Sequence, residues 1–442
     1  MYRDLTKGPI GPGLVRFALP MMLGNLLQQI YNLADTLIAG RALGRDALAA
    51  IGSAYTLMTF LTSIFIGLSL GAGALFSIYF GKREQEKLQS AVGHGMVLVL
   101  GVTLALTAAS YAGLDVILRF LQVPSSLLAA MRGYLLVVFA GLLATAVYNF
   151  LACLLRALGN SAAPLWFLGT AAVGNVLLDL LFVLVFSWGI VGTAVATVLC
   201  QYLAAIGLTW YTLRHCRRAL PRRLRYDGGM MRRLGGFSVL TCLQQAAMNF
   251  GILLIQRLVD SFGPVVMAAF AAAVKIDTLA YLPVQDFGNA FSTFAAQNYG
   301  AGQQARLRDG MRTATAMSAG FSLAASVLVV VLARPLLQIF IPASQTEVLA
   351  CGVQYLRIEG AFYVGIGCLF LLYGFYRAIG WPAMSLVLTV ISLGTRVALA
   401  YLLAGPVGPA GIWLAIPIGW FLADVFGYGV YFRLRRGRGK AV

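Results

Sequence analysis

The chain has 442 residues, of which 60% are Ala, Val, Ile, Leu, Met, Phe, Trp, Tyr or Cys and only 11% are charged. A soluble domain carries about 25% charged residues and about 45–50% apolar ones, so this chain has more apolar surface than a water-soluble core can hide. That excludes a soluble enzyme, a disordered protein and a typical nucleic-acid binder. Lys and Arg number 33 against 15 Asp and Glu, a formal net charge of +18, but the basic residues sit mostly between apolar runs, where they set membrane topology.

In chain order, residues 1–13 are polar and lack the short apolar core of a cleaved signal peptide. A spanning helix needs roughly 20 apolar residues. Twelve segments qualify: 15–40, 47–80, 88–113, 128–157, 161–186, 189–213, 233–260, 264–299, 310–333, 349–378, 380–403 and 408–433. Pro20 and Pro283 fall inside spans, where neighbouring groups satisfy the freed carbonyls. An amphipathic stretch, 114–121, is expected at the membrane interface. The fold class is therefore an all-α, multi-pass integral membrane protein with twelve transmembrane helices.

Loops after even-numbered spans carry Lys82, Arg83 and Lys87, then Arg156, then a dense basic run, then Arg306, Arg308 and Arg312, then Arg377. The dense run is Arg214, Arg217, Arg218, Arg222, Arg223, Arg225, Arg232 and Arg233, and the tail adds Arg433, Arg435, Arg436, Arg438 and Lys440. Loops after odd spans are basic-poor apart from Arg41, Arg45, Arg119 and Arg334. The positive-inside rule then places both termini in the cytoplasm. Residues 214–232 read as a cytoplasmic linker between a first half, 1–213, and a second half, 233–442. Binding of anionic lipid is a second use for the run, although topology alone explains it.

The halves repeat. Phe80-Gly81-Lys82 matches Tyr299-Gly300-Ala301 at a shift of 219 residues. Tyr134-Leu135 and Arg156-Ala157-Leu158-Gly159 match Tyr355-Leu356 and Arg377-Ala378-Ile379-Gly380 at a shift of 221. Six spans per half is an even number, so the repeats run parallel, related by an axis along the membrane normal. Two bundles able to rock about their interface suit a transporter, and the chain is expected to act as a monomer.

An ionisable side chain inside a span costs a few kcal/mol or more and is a functional candidate by default. Asp35 lies in span one, with Gln28, Tyr31 and Asn32 on the same helical face. Asn175 and Asp179 in span five are i, i+4 neighbours and point into one space. Thr197 in span six adds a hydroxyl. Two carboxylates, an amide and a hydroxyl suit Na⁺, and two close carboxylates equally share a proton, so the coupling ion stays open between Na⁺ and H⁺. The competing structural reading makes Asp35 and Asp179 satisfied polar groups that join neighbouring helices. At the repeat shift Asn175 falls on Arg396, Asp179 on Ala400 and Asp35 near Leu254, so these acids do not recur, which favours a functional role.

Arg257, Lys275, Asp277, Asp286, Arg357, Glu359 and Arg396 in the second half read mainly as structural ion pairs, with substrate contact as the alternative. Lys275 and Asp277 face apart on their helix, Glu359 is expected near the interface, and Asp424 is expected to meet an arginine. Gly67, Gly71 and Gly73 predict close helix packing. Six cysteines show no CxxC pair, two histidines make no metal site, and no GxxxxGK[ST] loop is present.

Phe17-Ala18-Leu19-Pro20, the run from Gln28 to Asp35, Gly67-Leu68-Ser69-Leu70-Gly71, Tyr79-Phe80-Gly81, Arg156-Ala157-Leu158-Gly159 and Gln297-Asn298-Tyr299-Gly300-Ala301 resemble the MATE (multidrug and toxic compound extrusion) family. The resemblance covers essentially the whole chain. It implies a V-shaped pair of six-helix lobes in the inner (plasma) membrane, exporting organic, often cationic and amphipathic compounds in exchange for Na⁺ or H⁺. In one branch a cation site in the first lobe uses residues that match Asp35, Asn175, Asp179 and Thr197, and the kink proline matches Pro20, the expected hinge. Substrate-cavity residues carry over to Gln28, Tyr31, Asn149 and Gln201, with Asn32 on the same stripe. Another branch places acids on the seventh and tenth helices. Span seven offers Gln256 and Arg257 instead, and the middle of span ten has no acid, which favours the first branch. Small-molecule substrate, coupling ion and membrane lipids are the expected partners, with no nucleic acid and no cofactor. A lipid-linked precursor flippase of the same superfamily is the alternative, kept open by Arg257, Lys275 and Arg396. A membrane-embedded enzyme would need a convergent His/Asp or Ser/His set that the two distant histidines do not supply.

Overall fold

The computed structural model describes residues 4–43, 45–120, 128–221 and 225–438. Arg222, Arg223, Lys440 and residue 121 of the expected interfacial helix lie outside the described residues, as do the side chains of Arg41, Arg45 and Arg438. The described chain is helical, with no strand among the described residues. Apolar runs this long fold as helices because a bilayer offers no water to satisfy an open backbone.

The helices are α1 (Ile10–Ala42), α2 (Arg45–Lys82), α3 (Gln85–Ala112), α4 (Leu114–Phe120), α5 (Leu128–Ala157), α6 (Ala162–Leu180), α7 (Gly189–His215), α8 (Gly228–Asp260), α9 (Pro264–Gly300), α10 (Gln304–Val331), α11 (Ala333–Gln338), α12 (Thr346–Gly360), α13 (Tyr363–Ala378), α14 (Pro382–Val407) and α15 (Pro409–Arg438). Eleven are long and apolar enough to cross a membrane, and α12 with α13 makes a twelfth span. That pair departs from the single straight span expected over 349–378: the two helices meet at a bend of 50°. Hydropathy is blind to such a break, because both sides of it are apolar. The short α4 covers the expected interfacial stretch, and a five-residue π-helical turn, Leu181–Val185, follows α6 immediately after Asp179.

Local chemistry explains several ends. Pro264 and Pro382 occupy first helical turns, where a missing N–H costs nothing. The repeated motif that closes α5 and α13 ends in Gly159 (φ 84°) and Gly380 (φ 86°). A side chain disfavours that left-handed conformation, and glycine there terminates a helix. The repeat therefore conserves a helix stop as well as apolar length.

The chain divides into two compact units, one built mainly from Leu19–Cys242 and the other from Leu5–Ala18 with Leu243–Val442. The changeover within α1 falls beside Pro20, and the start of α8 belongs to the first unit. In the first unit α5 packs on α2, α3 and α7, and α6 packs on α7. In the second, α13 packs on α9, α10 and α15, and α14 packs on α15. These are the same pairings at repeat-equivalent positions, while α1 and α8 are each divided between the two units.

The expected close packing at Gly67 is present: a Cβ there would lie 2.6 Å from the Cys242 Cα of α8, and Ser238 Oγ donates to the Leu68 carbonyl at 3.0 Å. The linker is tied down on α3. Gln89 Nε2 donates to the Arg218 carbonyl at 2.8 Å, and the Asp227 amide donates to His94 Nε2 at 2.9 Å. Since Nε2 accepts, the His94 proton sits on Nδ1 and is donated to the Ser90 carbonyl at 2.8 Å. Asp227 Oδ1 in turn caps α8 by accepting from Gly229 N (2.9 Å) and Met230 N (3.2 Å).

Candidate cation and substrate site

Asp35 on α1 and Asp179 near the end of α6 approach each other inside the first unit. Asp179 is fully buried and Asn175, one turn earlier, is 2% exposed. Asn175 Nδ2 donates to Thr197 Oγ1 of α7 at 3.4 Å. Four acceptors stay buried without a donor: Asp35 Oδ1, both Asp179 oxygens and Asn175 Oδ1. A buried acceptor with nothing to bond forfeits its hydration without return, about 1–3 kcal/mol each and more for a charge. Oxygen ligands aimed at one another in this way fit a proton or a small hard cation. Among the described residues no group of three or more His, Cys, Asp or Glu side chains that could hold a metal ion is present.

An open cavity adjoins Asn175 and Thr197. Gln28 and Tyr31 from α1, Asn149 from α5, Asn175 from α6, and Thr197 and Gln201 from α7 line it. The polar stripe on α1 thus splits. Gln28 and Tyr31 face the cavity, whereas Asn32 does not line it and places Nδ2 3.5 Å from Gln29 Oε1. Asp35 and Asp179 are not among the cavity-lining residues, whereas Thr197 and Asn175, one turn before Asp179, are.

Several neighbours carry no signal in sequence spacing. Thr145, Tyr148 and Cys200 also line the cavity. Asn149 Nδ2 is held by the Thr145 carbonyl (2.8 Å) and Tyr148 Oη by the Pro164 carbonyl (2.8 Å), which orients both walls. Tyr134 on α5 stands within electrostatic reach of both Asp35 and Asp179. Its membership of the repeated Tyr-Leu motif was the one hint available.

The second unit corrects one expectation. Among the described residues no arginine stands beside Asp424; Cys368, Tyr373 and Tyr428 are within its electrostatic reach, and its Oδ1 has no donor. Glu359 is 2% exposed. Lys275 and Asp277 do face apart: the Lys275 ammonium lies 5.8 Å from the Phe340 ring centre, while Asp277 points inward to Glu359. Arg257 and Arg357 are exposed.

The MatE family model matches residues 20–181 and 241–402, once in each repeat. A probable multidrug resistance protein, YpnP, of Bacillus subtilis strain 168 is 32% identical over 99% of this chain and 98% of its own length. A second from the same organism, YoeA, is 26% identical over 96% and 94%. A crystal structure of a MATE protein in complex with MaD3S superposes with a TM-score of 0.91 at 22% identity, covering 99% of both chains. With a match in both halves and a relative this similar along its whole length, the chain belongs to the MatE family of membrane transporters.

Proposed function

We propose that the chain is a secondary antiporter that exports organic, often cationic and amphipathic compounds across the cell's inner membrane in exchange for Na⁺ or H⁺, with both termini in the cytoplasm. The observation that carries this reading is the approach of Asp35 and Asp179, with Asp35 Oδ1 and both Asp179 oxygens buried without donors, one helical turn from the Asn175 that lines the cavity with Thr197. Family membership and relatives named as multidrug resistance proteins support the substrate class.

The chemistry follows from charge. Without a cation, two acceptor groups face each other, and the chain is stable only in arrangements that separate or hydrate them. A proton or Na⁺ between them removes the repulsion and draws Asn175 Oδ1 and Thr197 Oγ1 into the ligand set. Asn175 and Thr197 belong also to the cavity wall, so filling the ion site reshapes the surface that holds the substrate. Ion and substrate then favour different states, and linkage makes the effect reciprocal. Gln28, Tyr31, Asn149 and Gln201 offer hydrogen bonds and an aromatic face to an amphipathic cation. Pro20, beside the changeover between units, is the proposed hinge.

The test is movement of a fluorescent cationic dye in proteoliposomes under separately imposed Na⁺ and H⁺ gradients. Dye transport driven by one of them is expected; transport driven by neither overturns the reading.

A further inference from the structure

The motif Gln297-Asn298-Tyr299-Gly300-Ala301 carries part of the family resemblance, yet none of its residues lines the cavity. It closes α9, and the turn into α10 is fixed by the Gln303 amide, which donates to the Asn298 carbonyl at 3.0 Å. Gln297 and Asn298 are completely buried. A buried side-chain amide needs partners for its donor and its acceptor, and much of that need is met by one stretch of backbone ahead of α1. The Leu5 amide donates to Gln297 Oε1 at 3.0 Å. Asn298 Nδ2 donates to the Leu5 carbonyl at 3.2 Å and to the Phe294 carbonyl at 2.8 Å. Arg306, in the first turn of α10, donates from Nη2 to the carbonyls of Leu5 (3.2 Å) and Lys7 (3.0 Å), with its guanidinium carbon 5.6 Å from the Phe294 ring centre. Leu5 itself is 4% exposed.

Both backbone polar groups of one residue are thus engaged at once, which is how a folded surface captures an extended chain. The holding residues and the held segment lie in the same compact unit: Leu5–Ala18 belongs to the second unit with α9 and α10, whereas α1 from Leu19 onward belongs to the first. The repeated scaffold does not demand this. At the shift of 219, Gln297, Asn298 and Arg306 fall on Ile78, Tyr79 and Lys87, which supply no side-chain amide. The first unit fastens the lead-in to α8 at the equivalent place with other groups: Gln89 Nε2 holds the Arg218 carbonyl, and the Arg233 guanidinium lies 5.7 Å from the Tyr79 ring centre. Each unit therefore grips the start of a helix whose remainder belongs to the other.

We propose that Gln297, Asn298 and Arg306 form a backbone clamp for the Leu5–Lys7 segment and act as positioning residues for transport. The clamp stays closed through the cycle and makes the beginning of α1 part of the second unit. α1 then passes displacement of that unit to its own later turns, which carry Gln28, Tyr31 and Asp35. Without the clamp the first turns of α1 slip, and the movement no longer reaches the cavity wall. Affinity for substrate and ion is set by residues of the first unit that the clamp does not touch, so its loss slows turnover and leaves binding unchanged. The transport half of this inference rests on the antiporter reading; the clamp itself does not.

Hydrogen–deuterium exchange on the full chain in detergent micelles reads the clamp with no dye and no gradient, so it judges the clamp separately from the antiporter reading. Gln297→Met keeps the length of the side chain and removes the acceptor. Arg306→Ala acts at the half-buried edge of the clamp, and it decides alone should Gln297→Met not be recovered folded. The peptide carrying Leu5 and Lys7 is expected to exchange at least about threefold faster in either variant than in wild type, while peptides from α13 exchange alike. Dye transport by the same preparations is expected to show kcat lowered about three- to tenfold with KM and half-saturation by the ion unchanged. Rates are taken per folded protein eluting at the wild-type volume, so a loss of stability alone does not lower them. Wild-type exchange at the N-terminal peptide in the folded variants overturns the clamp. Faster exchange with an unchanged kcat, or with a KM that rises as kcat falls, overturns its role in transport.

Discussion

Tyr134 and Tyr355 hold the same position in the two repeats, and each stands beside a buried pair of carboxyl groups. The pairs are built differently: helices α1 and α6 supply Asp35 and Asp179, whereas α9 and α12 supply Asp277 and Glu359. One scaffold position is thus used twice with different chemistry, an amide and a hydroxyl attending the first pair and a guanidinium the second.

Thr197 is the smallest handle on the first site. Thr197→Val keeps the shape and removes the hydroxyl that accepts from Asn175 Nδ2 at 3.4 Å. A lost buried hydrogen bond of about 1–2 kcal/mol corresponds to about a 5–30-fold rise in the ion concentration that half-saturates transport. An ion titration of transport at saturating dye checks it, and unchanged half-saturation contradicts the role given to Thr197.

The cavity wall predicts a change of a different kind. Gln201 lines the cavity from α7, one turn beyond Thr197. Gln201→Leu is expected to raise the KM for small hydrophilic cations by several fold while leaving half-saturation by the ion unchanged. A parallel shift in both quantities would show that Gln201 belongs with the ion ligands.

Close approach between α2 and α8 makes Gly67 intolerant of side chains. Gly67→Val pushes into the Cys242 backbone, which has no freedom to retreat. Overpacking of this kind costs about 1–3 kcal/mol, so the melting temperature in detergent is expected to fall by several degrees. Gly101→Val on α3, with open space around its position, is the control and is expected to melt within a degree or so of wild type.

His94 anchors the linker. His94→Ala leaves the Asp227 amide without its acceptor and loosens the start of α8 at a cost of about 1 kcal/mol. Faster tryptic cleavage at Arg217, Arg218 and Arg225, all exposed, is expected at unchanged transport rate. Equal cleavage rates in variant and wild type contradict the anchor.

Twelve spans were legible because each carries enough apolar length to cross a bilayer, and the glycine stops at Gly159 and Gly380 were visible as a repeated motif. The bend within the tenth span was not, because residues on both sides of it are apolar and nothing in hydropathy separates a straight helix from a broken one. In the first site, Asn175 and Asp179 were legible as i, i+4 neighbours on one helix. Tyr134, Tyr148 and Cys200 were not, since their facing is decided by packing between helices. The same limit left Asp277 and Glu359 read as members of ion pairs with unidentified partners: they lie on separate helices, and only tertiary contact brings them near each other.

The most direct measurement is gradient-driven dye transport by reconstituted wild type, Asp35→Asn and Asp179→Asn, with folding checked by size-exclusion chromatography. Both variants are expected to elute as wild type does and to transport at least about tenfold more slowly, a barrier increase of about 1.4 kcal/mol or more. Transport by folded Asp35→Asn at the wild-type rate under the same gradient contradicts the account.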